Sequence, residues 1–228
     1  MAIDSERADV VTFDSYSTLV DPRSAGRVLE GYVDDPAAVA AEWHSLAVQF
    51  ATVAAHVDVD PTYYDLHRDA LAYLLDARGI DVSEPELRDM TDVYYDLDPF
   101  DDVRSGMATL SSAGYRIAIL SNGNPSLLES LVETTDTAAF VETTISAATV
   151  GTFKPAPGIY AAAADELGVP IERVVHVGSG WGDIVGCTNA GMQGVWLDRT
   201  GSPWPRFDGE PHAVADSMAE VAALLTAE

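Results

Sequence analysis

The chain has 228 residues, with 37 Asp and Glu against 12 Lys and Arg, giving a formal net charge of −25 and a sequence pI near 4.2. That balance excludes a protein built to grip a nucleic-acid backbone, which needs clustered positive charge. Because 47% of the residues are hydrophobic and arrive in periodic blocks, the chain is not a disordered acidic tail either.

In chain order, residues 9–13 (DVVTF) read as a short apolar strand that ends at Asp14, and SYSTL then enters a loop. From about 22 to 98 the pattern is helical. Residues 36–57 carry Val39, Trp43, Leu46, Val48, Phe50 and Val53 at three- and four-residue spacing, and 62–78 and 84–97 follow the same rule. Asp60-Pro61 and Ser83-Glu84-Pro85 read as helix starts and Gly79 as a stop. Helix and strand then alternate: helix 102–113, strand 115–120, helix 125–134, a strand near 143–147, helix 156–167, strand 173–178, helix 182–190, strand 194–197 and a last helix 216–226. Alternating βαβ units with short connections predict a parallel, doubly wound α/β sheet. The expected domains are an α/β core from 1–20 and 99–228 and a helical cap from 21–98.

Four strand-end loops carry polar groups, and the C-terminal ends of strands are where open α/β sheets place their chemistry. They are Asp14-Ser15-Tyr16-Ser17-Thr18, Ser121-Asn122-Gly123-Asn124, Lys154-Pro155 and Gly178-Ser179-Gly180-Trp181-Gly182-Asp183. Lys154 is the only lysine in the chain, kept in a loop where a cation would face Asp14. A strand-end carboxylate with a hydroxyl and amide loop, a lysine and a second acid is a nucleophile with its counterions.

The set FDSYSTL, LSNG, FKP and VGSGWGD, in that order and with a helical insert after the first, resembles the haloacid dehalogenase superfamily, and more narrowly the type II (S)-2-haloacid dehalogenases. The resemblance covers nearly the whole chain and implies a Rossmann-like core with a cap. Most superfamily members are magnesium-dependent phosphatases with a second aspartate two positions after the nucleophile. Tyr16 stands at that position here, and Ser179 stands where their fourth motif begins with a metal-binding aspartate. The resemblance therefore implies a dehalogenase with no cofactor and no metal, in which Asp14 attacks the α-carbon of a 2-haloalkanoate. Magnesium belongs only to the alternative, a small-molecule phosphatase. A third reading is a catalytically silent anion-binding relative.

Placed on this sequence, the resemblance implies Asp14, Lys154, Thr18, Ser121 and Asp183 as catalytic residues. Tyr16, Asn122, Tyr160, His44, Tyr63, Ser179 and Trp181 would surround the substrate. Tyr160 equally suits a core aromatic, and Tyr63 ordinary packing between cap and core. The family's halide-binding arginine after the cap tryptophan is His44 here, following Trp43, and its later serine, asparagine and tryptophan correspond to Gly178, Gly180 and Gly182. A protonated His44 and the Trp181 indole N–H are candidate replacements, as are Arg23 and Arg27 at the pocket mouth. The expected partner is a small anionic substrate, and the resemblance allows a homodimer.

The lone cysteine, Cys187, cannot form an internal disulfide, and the acidic opening MAIDSERADVV has no apolar segment long enough for a signal or membrane span. Both suggest a cytoplasmic protein. An excess of Asp with almost no Lys suits a chain kept hydrated in concentrated salt, where screening over about 3 Å at 1 M removes self-repulsion. A halophilic source is expected.

Overall fold

The computed structural model describes residues 3–57 and 59–227. Met1, Ala2, Asp58 and Glu228, which fall in the N-terminal stretch and the segments assigned above, lie outside the described residues. Strand β1 (Val10–Phe13) is followed by a 3-10 segment, Pro22–Leu29, and by helices α1 (Pro36–Ala54), α2 (Tyr63–Asp76) and α3 (Glu84–Thr91). Then come α4 (Val103–Ser112), β2 (Arg116–Ser121), α5 (Pro125–Thr134), β3 (Val141–Ser146) and the one-turn α6 (Ala147–Val150). The chain closes with α7 (Pro157–Leu167), β4 (Val174–Gly178), α8 (Trp181–Ala190), β5 (Gln193–Leu197), β6 (Ala213–Ala215) and α9 (Met218–Thr226).

The strands form one parallel sheet in the order β3-β2-β1-β4-β5-β6. Every residue of β1, β4 and β5 is buried, which is why these segments read as nearly unbroken apolar runs: helices cover both faces. The chain leaves β1 toward β2 and β3 on one side and later toward β4, β5 and β6 on the other. Its topological switch point is thus at β1, beside β2 and β4, and a crevice opens at their C-terminal ends.

Several boundaries differ from expectation for local reasons. Helix α2 starts not at Asp60-Pro61 but after Thr62, which forms a reciprocal capping box with Asp65. The helix expected over 84–97 leaves α geometry after Thr91 and finishes as a 3-10 turn, Asp92–Tyr95. Helix α1 stops at Ala54 rather than 57, where Val53 and Val57 face solvent and no packing rewards a further turn. The last helix begins at Met218 because Ser217 accepts from the Glu220 amide as its N-cap. The three-residue edge strand β6 and the 3-10 segment at 22–29 were too short to show a period. Among the described residues no helix is long and apolar enough to cross a membrane.

Candidate active site

Asp14 directly follows β1, and its amide N–H donates to the Val177 carbonyl at 2.9 Å, so the β1–β4 ladder fixes where the carboxylate emerges. The chain then turns sharply, with Ser17 in the left-handed region at φ 64°. This turn aims the Thr18 hydroxyl back at Asp14 Oδ2, 3.0 Å away. Thr18 also accepts from the Ser179 N–H at 2.9 Å, tying the first loop to the fourth. Arg199 holds the turn from below by donating to the Thr18 carbonyl at 3.0 and 3.2 Å. The arginine is itself braced by Asp102 at 2.9 Å and lies over the Phe100 ring, 4.0 Å from its centre.

Lys154 is almost fully buried, and its ammonium sits between two carboxylates: Nζ lies 2.8 Å from Asp183 Oδ2 and 3.2 Å from Asp14 Oδ1. Its backbone N–H donates to Asn122 Oδ1 at 2.8 Å, so the second loop positions the third. Burial pulls the Lys154 ammonium down, but the facing Asp14 and Asp183 charges outweigh it and hold the group above its ordinary value. The two acids diverge. Burial pushes Asp14 above the usual carboxylate value of 3.8; Lys154 opposes this and Asp183 adds to it. For Asp183 burial again acts upward, but His176 and Lys154 together overcome it and hold the carboxyl well below the ordinary range. Asp183 also accepts from the Tyr160 hydroxyl at 2.6 Å. One acid is therefore a locked counter-anion, and the other is the more basic and more nucleophilic oxygen pair.

The donor set does not fit a divalent cation. The position between the carboxylates is taken by Lys154, and Ser179 turns its hydroxyl away to the Leu197 carbonyl at 2.8 Å. Among the described residues no three His, Cys, Asp or Glu side chains are grouped to hold a metal.

A cavity of about 440 Å³ opens over Asp14 and Lys154. Its far wall is aromatic: Tyr16 lies 5.5 Å from Tyr63, 5.7 Å from His44 and 5.8 Å from Tyr94, measured between ring centres. Trp181 stands at the mouth, 45% exposed, against Phe207. Burial pulls His44 down to about 4, so this imidazole is neutral near pH 7 and the expectation of a protonated His44 is corrected. Five buried polar atoms in and behind this wall have no protein partner: Tyr16 and Tyr94 Oη, His44 Nδ1 and both nitrogens of His67. Buried polar groups are rarely left unpaired in native structures.

The family model for haloacid dehalogenase-like hydrolases matches residues 8–191. The chain belongs to this family. An (S)-2-haloacid dehalogenase 4A of Burkholderia cepacia is 30% identical over 98% of this chain and 96% of its own length. An (S)-2-haloacid dehalogenase of Xanthobacter autotrophicus is 32% identical over 80% of this chain and 72% of its own. A solved L-2-haloacid dehalogenase from Xanthobacter autotrophicus, with chloropropionic acid covalently bound, superposes with a TM-score of 0.89 at 26% identity, covering 96% of this chain and 99% of that one.

In this haloacid dehalogenase-like hydrolase, Asp14, Tyr16, His44, Tyr63, Asn122, Lys154, Ser179, Trp181 and Asp183 all line the one cavity. Thr18, Ser121 and Tyr160 do not. Thr18 supports Asp14 from outside the cavity; Ser121 is fully buried and bonded to Ser15 at 2.6 Å; Tyr160 stands behind Asp183. Helix α8 packs closely there, since a Cβ on Gly186 would lie 2.6 Å from the Tyr160 hydroxyl. Arg23 pairs with Asp21 beside an adjoining cavity of about 670 Å³, while Arg27 pairs with Asp96 and Asp98 away from both. Two residues in contact with this site escaped sequence reasoning, His176 beside Asp183 and Arg199 beneath Thr18. His176 sits inside an apolar run and looks like a core residue, and its only signal is parity: it shares a sheet face with Gly178, as Thr12 does with Asp14. Arg199 follows β5 by two residues, another strand end, which is the rule that marked the other loops.

Proposed function

We propose that the chain is a hydrolytic dehalogenase of small 2-haloalkanoic acids, acting through an ester on Asp14. The observation that carries this reading is the Asp14–Lys154–Asp183 arrangement, in which a buried ammonium lies between two carboxylates. The relatives named as haloacid dehalogenases, one with a covalently bound substrate-derived group, support it.

In this reading an Asp14 carboxylate oxygen attacks the α-carbon, a C–O bond forms, and the carbon–halogen bond breaks with its electron pair leaving on the halide. Water then adds to the Asp14 carboxyl carbon. The acyl C–O bond breaks, the 2-hydroxy acid departs, the carboxylate is restored with one oxygen from water, and one proton is released. Lys154 and Thr18 hold the carboxylate in line and ionised. The side-chain oxygen of Asn122 accepts from the Lys154 backbone N–H, which turns its amide N–H₂ toward the substrate carboxylate. The unpaired hydroxyl of Tyr16 and the neutral His44 offer N–H and O–H donors on the aromatic wall, where the halide departs. Tyr63 and Trp181 keep the cavity dry, which strengthens each electrostatic contact. Residues 21–98 act as the cap that supplies His44, Tyr63 and Tyr94 of this wall, against Tyr16 from the core. The acidic composition is read as adaptation to concentrated salt.

The test is bromide release from (S)-2-bromopropionate in high salt, with and without chelator, followed by single turnover in ¹⁸O-water. Chelator-resistant release and one heavy oxygen in the Asp14 peptide are expected. Absence of turnover with the haloacid, together with magnesium-dependent cleavage of p-nitrophenyl phosphate, would replace this reading with the phosphatase one.

A further inference from the structure

His176 is fully buried in the middle of β4, two residues before Gly178 at the strand's end. The parallel register sets it directly opposite Thr12 of β1. Even-numbered side chains of both strands share one face of the sheet, so Thr12 and His176 form a floor beneath Asp14 and Gly178. The imidazole is held at both nitrogens: Nδ1 is 2.9 Å from Thr12 Oγ1, and Nε2 is 2.9 Å from Asp183 Oδ2. Lys154 Nζ is 3.4 Å from the same Nε2. A carboxylate oxygen only accepts, so Nε2 carries a proton and donates to Asp183, and Nδ1 faces the threonine hydroxyl. Nothing in the chemistry described above uses this histidine, yet it lies against both Lys154, the counterion of the nucleophile, and Asp183, the acid that competes for that ammonium.

Two carboxylates compete for one ammonium, and the ammonium lies nearer Asp183 than Asp14. Without other donors Asp183 would draw Lys154 fully to itself. Tyr160 on Oδ1 and His176 on Oδ2 instead supply Asp183 with hydrogen bonds of its own, leaving the lysine shared. We propose that His176, oriented by Thr12, is a positioning residue that satisfies Asp183 so that Lys154 stays in contact with the nucleophile Asp14. The inference deepens the dehalogenase reading and rests on it for the identity of the nucleophile. It rests on geometry alone for the sharing of Lys154.

The test compares His176→Leu, His176→Gln and Thr12→Val. Glutamine places an N–H₂ near the Nε2 position and can donate to Asp183, whereas leucine cannot. For His176→Leu, kcat for bromide release should fall about tenfold or more, the loss expected for one charge-assisted hydrogen bond, with KM changed little. The acid limb of the pH profile should move to higher pH, because Asp14 loses its share of the ammonium. His176→Gln should restore kcat to within a few-fold and return the limb to its place. Thr12→Val should shift the limb in the same direction by less, and it carries the test if the leucine variant does not fold. A second readout needs no turnover: titration of Asp14 by carbon NMR on aspartate-labelled protein should show its pKa rising in His176→Leu and not in His176→Gln. An unmoved Asp14 titration in the leucine variant, or a glutamine variant as impaired as leucine, would overturn the inference. Wild-type protein inert toward haloacids would instead sink the dehalogenase reading, and the NMR comparison would still decide the role of His176.

Discussion

Replacing Lys154 with methionine keeps the length of the side chain and removes its charge. The ammonium is 3.2 Å from Asp14 and 2.8 Å from Asp183, with only 5% of the lysine side chain exposed. At an effective dielectric of about 20, a pair at that separation attracts by roughly 5 kcal/mol before desolvation is counted. Breaking a buried pair from one side typically costs about 3–5 kcal/mol. If about 3 kcal/mol of that falls on Asp14, its pKa rises by about two units, from a starting point already above 3.8. Two carboxylates then face each other without a cation, and one takes up a proton in the neutral range. We expect kcat/KM at pH 7 to fall by about a hundredfold or more, with the acid limb shifted upward. Bromide release from 2-bromopropionate, followed from pH 5 to 10, measures both. Stability has a matching sign. With the folded-state pKa of Asp14 raised further above its unfolded value, the variant loses stability as pH climbs from the unfolded carboxylate value through the raised folded one and recovers it in acid. A drop in rate with the acid limb unmoved would refute the claim that Lys154 controls the ionisation of Asp14.

Asp14→Asn should abolish turnover and any mass adduct on the protein while leaving the melting temperature equal or higher at neutral pH, because it removes a buried carboxyl held above its ordinary value; intact-protein mass spectrometry and calorimetry check the two halves. Arg199→Gln should lower kcat/KM about tenfold through loss of the Thr18 turn and reduce stability by roughly 2 kcal/mol, read by halide release and thermal melting. Between 0.1 and 2 M salt, the melting temperature should rise and KM for the haloacid should fall, with kcat moving much less.

The doubly wound core was legible because its strands are buried on both faces and their apolar runs are bounded by polar loops; β1 and β4 needed only the run itself. Lys154 was legible for a compositional reason, since a lone lysine in an acidic chain has no surface role to dilute it. The rest was not, and the reason is distance along the chain. His67 and Tyr94 reach the aromatic wall only through packing of α2 against the 3-10 turn after α3, where their ring centres lie 3.7 Å apart at a 35° tilt; periodicity marks such residues as core and says nothing of which core. Tyr160 was placed at the substrate by resemblance, and the structure puts it behind Asp183 because the missing side chain of Gly186 lets the tyrosine hydroxyl reach the start of α8. His44 shows the limit most clearly. Its position in the sequence suggested a cation, but burial decides its charge, and burial is a property of the fold.

The net charge of −25 sets a problem for any enzyme of an anionic substrate, and the geometry of the site limits where the problem lies. Repulsion of the incoming carboxylate comes from the solvated surface, where charges are screened within about 3 Å in molar salt. The attraction between Lys154 and its two acids acts across contacts of 2.8 and 3.2 Å inside the protein, too short and too dry for ions to enter. Salt therefore removes the cost of the acidic surface and leaves the Lys154 pairings almost untouched. That asymmetry is why the salt response should fall on KM and on overall stability rather than on kcat. For an acidic chain to handle an anion in this way the cation facing Asp14 must be shielded from solvent, and Lys154 is buried.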